Sequence, residues 1–211
     1  MPITRPALCL ALASTVAAAG TASAAAKPRP KPVCHVVTDP AGDATGFLVT
    51  SSPLPSDDHL DILSADIASD AKNVTAVIRL KAVGADSTSP TGGTVYFNFS
   101  IAATKVFLAA VLDGATATYE AGDFTGPSGQ RHRVADATGF IDPKTSSIHI
   151  TTPANTFSST IKKGTKLNTF DVLAQRYIGS SAAGGVTPTA DEATADKVVV
   201  AGTPSCVTPG R

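Results

Sequence analysis

The sequence predicts an all-β domain, a two-layer antiparallel sandwich of about nine or ten strands. Three observations carry this. Apolar residues recur with a period of two rather than 3.6. Clusters of Gly, Pro, Asp and Ser separate the apolar runs at short intervals. No stretch sustains a long helical pattern; residues 154–163 offer at most one helical turn before Gly164.

Each element has its own signature. In residues 73–83, Val74, Ala76, Ile78, Leu80 and Ala82 share one face, while Thr75, Arg79 and Lys81 share the other. In residues 95–101, Val95, Phe97, Phe99 and Ile101 alternate with Tyr96, Asn98 and Ser100. The apolar run 106–112 ends at Asp113-Gly114 and is followed by 115–119, which reads as a hairpin with a primed turn. Shorter candidate strands are 62–68, 131–135, 147–151, 170–178 and 197–201. Residues 179–192, rich in Gly, Ala, Thr and Ser, read as a loop before the last strand. The tetrapeptide Asp43-Ala44-Thr45-Gly46 recurs at Asp136-Ala137-Thr138-Gly139, but the flanks do not match and no internal repeat follows.

Composition bounds the function. The chain has 211 residues, 43% of them hydrophobic and 16% charged, which is a globular rather than a disordered balance. Lys+Arg and Asp+Glu both number 17, so no basic excess points to nucleic acid. Tryptophan is absent and aromatics make up 5%, which weakens the case for a broad aromatic binding platform.

Residues 1–26 read as a secretory signal peptide: one positive charge at Arg5, an apolar run from Ala7 to about Ala19, then small residues at Ala22 and Ala24. The run is shorter than the roughly 20 residues of a spanning helix, and no later stretch is apolar enough to span a bilayer. The expected product is exported to the extracellular space, with no membrane association after cleavage. Residues 27–32, Lys-Pro-Arg-Pro-Lys-Pro, form an extended arm, and residues 33–211 a single domain. Cys9 leaves with the signal. Cys34 and Cys206 remain, and in an oxidising compartment they are expected to join the start of the domain to its end. They are too far apart in sequence for a C-x-x-C redox pair.

One acidic constellation stands out. Asp39 and Asp43 flank a Pro-Ala-Gly turn, and Asp57-Asp58-His59-Leu60-Asp61 follows. Calcium takes six to eight oxygens, typically carboxylates and carbonyls on a turning chain. Asp39, Asp43 and Asp61 are the candidate ligands, with Asp58 as a helper. The competing reading is that Asp39 and Asp43 close the turn through their own side-chain hydrogen bonds. His59 reads as a rim residue, His35 as packed near the cysteine, His149 as solvent-facing on a strand, and Arg131-His132-Arg133 as a solvated basic spot.

The Asp-Pro-Ala-Gly-Asp opening and the segment LDILSADIASDAKNVTAVIRL, with the Lys163-Gly164-Thr165-Lys166-Leu167 turn and Cys206, resemble secreted actinobacterial β-sandwich proteins. These are akin to family 9 carbohydrate-binding modules and DOMON-like domains. The resemblance covers residues 33–207 through short motifs. It implies a jelly-roll-like sandwich with calcium near the Asp39–Asp43 loop. The stacked tryptophans of the sugar-binding members are missing here. So is the Met ligand of haem-binding relatives, since the single methionine is Met1.

No catalytic residue is assigned. There is no G-x-S-x-G elbow and no H-E-x-x-H pair. The expected function is a non-catalytic binding or surface-interaction module recognising carbohydrate or cell-envelope material. Loops 86–93, 120–130 and 179–192, and Tyr96, Tyr119 or Tyr177, are its candidate contacts. The alternative is a secreted hydrolase or protease inhibitor on the same scaffold. Asn73-Val74-Thr75 and Asn98-Phe99-Ser100 match the glycosylation pattern and are read as incidental.

Overall fold

The period-two segments fold as strands, and their apolar faces meet in one core. The computed structural model describes residues 31–45, 57–83, 92–113, 116–176 and 189–210. The expected signal segment 1–26, most of the proline arm, Tyr177 and large parts of two candidate loops (86–93 and 179–192) lie outside them.

Among the described residues there are eleven strands: β1 (Val37–Thr38), β2 (Ile62–Ser69), β3 (Asn73–Leu80), β4 (Gly93–Ile101), β5 (Thr104–Asp113), β6 (Thr116–Asp123), β7 (His132–Asp136), β8 (Thr138–Asp142), β9 (Ser147–Pro153), β10 (Lys166–Arg176) and β11 (Thr189–Val200). They form two antiparallel sheets. One has five strands in the order β1-β2-β3-β9-β8; the other has six in the order β11-β10-β4-β5-β6-β7. The count exceeds the expected nine or ten because β1 is only two residues long and β8 carries a glycine. A Cβ at Gly139 would sit 2.3 Å from the His149 carbonyl and 2.6 Å from the Tyr119 ring. Glycine there permits the close approach but weakens the strand signal.

Residues 154–163 form turns instead of a helical turn. They still reach the core, because Ala154, Phe157 and Ile161 are buried. Phe157 meets Phe99 edge-on at 5.8 Å, and Phe97 lies 6.1 Å from Phe99 and 5.9 Å from Phe170. This aromatic chain, with Ile62, Ile67, Ile78, Leu80, Leu108, Ile148 and Ile150, fills the space between the sheets.

Strand β2 is buried on both faces, although Ser64 and Asp66 sit at outward positions. The two chain ends provide the cover. After β11 the chain runs back across the outside of the five-stranded sheet. Val207 packs on Ala68 and Val77, the Ser205 hydroxyl donates to the Ile67 carbonyl at 3.2 Å, and the Gly210 N–H donates to Thr75 Oγ1 at 2.9 Å. The N-terminal arm is held by Asp66, which accepts from the His35 backbone N–H and from Arg79 Nη1 at 2.6 Å. The His35 ring itself is largely exposed, with 56% of its side chain open to solvent, rather than packed.

Cys34 and Cys206 form the expected disulfide, closing a separation of 172 residues with a Cα–Cα distance of 5.2 Å. Beside it Val33 bridges Ser205 in parallel, and the Val33 N–H donates to the Pro204 carbonyl at 3.0 Å. The bond therefore ties both terminal segments over one sheet face. A Cys34→Ser/Cys206→Ser variant is expected to unfold cooperatively in urea but to lose about 2–5 kcal/mol of stability. A loss below about 1 kcal/mol would mean that Val207 packing and the terminal hydrogen bonds hold the ends without the cross-link.

Candidate metal centre

Strands β1 and β11 are edge strands of different sheets, and the seam between them collects acidic groups. Thr38 ends β1, and the Asp39 N–H still donates to the Leu63 carbonyl at 3.1 Å. Pro40 and Ala41 then turn the chain, and Gly42 adopts φ +92°, in the region that side chains disfavour. This reversal brings Asp43 back toward Asp39. Two residues on, the Thr45 N–H donates to the Ala190 carbonyl at 2.7 Å, docking the loop on β11. The next residue of β11 is Asp191.

The carboxylates of Asp39, Asp43 and Asp191 converge, with one oxygen of each within 4.8 Å of the others. Asp61 lies beside them. Its side chain is fully buried, Oδ2 accepts the Gly42 N–H at 2.7 Å and lies 3.7 Å from Lys81 Nζ, and Oδ1 has no hydrogen-bond partner. Asp39 Oδ2 is likewise buried and without a partner. Asp191 is anchored at both oxygens: Oδ2 accepts the Ile62 N–H at 2.6 Å and Oδ1 accepts the Glu192 N–H at 2.8 Å. A rigid acid thus joins an end of β11 to the start of β2.

Burial is the largest influence on Asp39, followed by the charges of Asp191 and Asp43. Together with the hydrogen bond that protonated Asp39 can donate to Asp191, they push its pKa from 3.8 to about 6. Asp191 is also raised, again chiefly by burial, although the Ile62 and Glu192 N–H groups oppose the shift. Acids crowded in this way have two means of relief: sharing protons or sharing a cation. The cluster could hold a metal ion.

Of the sequence-derived candidates, Asp39 and Asp43 are in the converging set and Asp61 is at its buried edge. Asp58 is turned away, paired with Lys81 at 2.8 Å and half-exposed. Asp191 is the residue that sequence reasoning missed. The composition of residues 179–192 predicts a loop running to Glu192, whereas β11 begins at Thr189. The segment gives no period-two pattern, because a bulge after Thr189 buries Ala190, Asp191 and Ala193 together. His59 stays outside the cluster, 3.5 Å from Asp57, which also pairs with Arg176.

Other expected contacts are used internally. Tyr96 packs edge-on against Phe107 at 5.7 Å and lies beneath Arg131, whose guanidinium carbon is 4.0 Å from its ring centre. Arg131 is therefore a stacked rather than solvated residue, while Arg133 pairs with Asp136 and Glu120. Tyr119 packs against the core. Asn98 is fully buried and bonded to Asp171 at 3.1 Å, so its glycosylation pattern is not presented by the folded domain.

A serine and a histidine do meet on β9: Ser147 Oγ is 3.0 Å from His149 Nε2. However, the neighbouring acid, Asp142, bonds Thr145 at 2.9 Å, and Thr145 bonds Ser147 at 2.8 Å. The carboxylate is relayed to the serine end of the pair, whereas a hydrolytic triad hydrogen-bonds its acid to the far imidazole nitrogen.

No family model, curated protein or solved structure matches this chain significantly. The likeness to carbohydrate-binding and DOMON-like domains therefore rests on the short sequence motifs alone. Among the described residues, no helix is long and apolar enough to cross a membrane.

The raised Asp39 has a pH consequence with a definite sign. Between pH 3.8 and about 6 the native state binds a proton that the unfolded chain has released. The metal-free protein should therefore lose stability as pH rises through that window. Asp191 acts in the same direction. Urea unfolding in chelator at pH 4.5, 5.5 and 6.5 should show this decline, and Asp39→Asn should flatten it. A decline of equal size in the variant would assign the effect to other groups.

Proposed function

We propose that this chain is a secreted, non-catalytic binding or surface-interaction module whose two sheets are clasped at the seam by a calcium ion. Asp39, Asp43 and Asp191 would ligate the ion, with Asp61 supporting the loop from behind. The observation that carries this reading is the buried, unpartnered Oδ1 of Asp61 beside three converging carboxylates. A buried carboxylate oxygen without a hydrogen-bond partner is costly, and a cation beside it offsets that cost for several acids at once.

Calcium is favoured over magnesium by the donors: calcium accepts irregular sets of carboxylate and carbonyl oxygens, whereas magnesium demands near-ideal octahedral geometry. The carboxylates here come from two separate elements, the turn after β1 and the start of β11. Export is supported by the signal-like first segment and by the disulfide, which persists in oxidising compartments. The module's expected partner is extracellular carbohydrate or cell-envelope material.

Thermal unfolding of the mature protein tests the clasp. Calcium at about 100 times its Kd contributes about 2.7 kcal/mol. For a domain of this size that raises Tm by roughly 5–10 °C over chelator. Magnesium should give much less, and Asp43→Ala and Asp191→Asn should each abolish the calcium response while remaining folded. Equal midpoints in calcium and chelator would defeat the proposal.

A further inference from the structure

On the outer face of the six-stranded sheet an amine, a carboxylate and a carboxamide stand together. Asn98 lies on β4 and pairs in register with Asp171 on β10. One same-face position along β4, Ser100 pairs with Lys105 on β5. Lys105 and Asn98 are therefore diagonal neighbours, within reach of a long side chain. Phe97, Phe99, Val106 and Val172 are buried in the core, so Asn98, Lys105 and Asp171 point away from it. A bulge in β10 between Asn168 and Asp171, with Thr169 at φ +52°, sets the register that brings Asp171 opposite Asn98.

The carboxylate touches both partners through one oxygen. Asp171 Oδ2 accepts from Asn98 Nδ2 at 3.1 Å and from Lys105 Nζ at 3.5 Å. This orients the carboxamide: its nitrogen faces the acid, while its oxygen, Oδ1, is buried and has no hydrogen-bond partner among the described residues. The ammonium is also held by the Phe124 ring, 4.8 Å from the ring centre. Phe124 rests edge-on against Phe107 at 6.0 Å, and Phe107 is the cross-strand partner of Asn98. Asn98 and Phe107 are both buried, so water has little access to the carboxamide carbon. As an ion pair alone the contact contributes little, because it is long and Lys105 is 42% exposed. Its chemical potential is larger: a nucleophile, a proton carrier and an electrophile are gathered at one place.

We propose that Lys105 and Asn98 join in a side-chain amide cross-link, with Asp171 as the catalytic proton carrier. Asp171 Oδ2 takes a proton from the Lys105 ammonium. The freed Nζ lone pair attacks Asn98 Cγ after a turn about the flexible four-carbon stem. The Nζ–Cγ bond forms and the Cγ–Nδ2 bond breaks. Two protons pass in turn from Nζ through Asp171 to Nδ2, which leaves as ammonium. Atoms and charge balance, the acid is regenerated, and no oxidant, reductant or cofactor is needed. Negative charge develops on Asn98 Oδ1, where no donor is placed among the described residues. The step is therefore slow, which suits a bond made once in the life of the chain. The product ties β4 to β5 in the six-stranded sheet, whereas the disulfide braces the outer face of the five-stranded one.

Intact mass spectrometry of the folded protein, incubated under native conditions, tests this directly. The chain should be lighter than its sequence mass, corrected for the disulfide, by one ammonia, about 17 Da. Lys105→Arg and Asp171→Ala should show no loss. Nor should chain kept in urea, which no longer holds the groups together. Trypsin should fail to cut after Lys105, leaving one peptide of residues 82–131 with no backbone fragment ions between 98 and 105. Lys105→Arg alters only a partly exposed side chain, so an unchanged Tm is its folding control. An unmodified mass after prolonged incubation would overturn the proposal. So would the same loss with Lys105 still cleaved, the signature of a succinimide at Asn98. Loss of one water, about 18 Da, would join Lys105 to Asp171 instead and overturn it as well.

Discussion

Four carboxylates gather where the edges of two sheets meet, and much of the N-terminal architecture follows from how they are accommodated. Asp39 and Asp43 come from the turn after β1, Asp61 from the entry to β2, and Asp191 from the entry to β11. These are the free ends of sheets that otherwise touch through apolar side chains. Unrelieved, like charges crowded at this partly buried seam would push the sheets apart. The structure relieves part of this with backbone N–H groups: Gly42 to Asp61, and Ile62 and Glu192 to Asp191. It leaves Asp39 Oδ2 and Asp61 Oδ1 without partners. A cation would complete the set and turn a repulsive seam into a cross-link.

The second constraint lies at the other pair of ends. The disulfide and the Val207 contact fold the C-terminal tail over β2 and β3, so strands that would otherwise be half-solvated become buried on both faces. This explains why Asp66 is fully buried and why it needs Arg79 and the His35 N–H. It also makes the sheet's outer face concave beside the tail, where Phe140 remains exposed. Stability at the termini and the shape of that face thus come from the same covalent tie.

Much of the fold was legible because strand periodicity is a local property. Val95, Phe97, Phe99 and Ile101 alternate in sequence, and all four are buried in the core. The 106–119 hairpin was readable for the same reason and pairs as β5 with β6. The elements that escaped detection are those whose strand character comes from neighbours. β8 contains Gly139 because Tyr119 and the His149 carbonyl crowd it. The first half of β11 has only alanine on its inward side, at Ala190 and Ala193. The metal centre was half legible for a related reason. Asp39 and Asp43 flank one turn, and Asp61 follows closely, but Asp191 lies far along the chain and is brought in only by the docking of Thr45 on Ala190. Asp58 shows the converse, since proximity in sequence placed it with Asp61 while the turn directs it to Lys81. His149 points away from the core, as its alternation between Ile148 and Ile150 predicts, and there it stacks on the Phe140 ring, a contact set by the register of β8 on β9.

The most direct test of the cation clasp is a high-resolution crystal structure of the mature protein grown with calcium near neutral pH. The expected result is a single ion at about 2.3–2.6 Å from one oxygen each of Asp39, Asp43 and Asp191, with carbonyl or water oxygens completing the shell. A seam without an ion, in which Asp39 and Asp191 share a proton across a short carboxyl–carboxylate hydrogen bond, would contradict it.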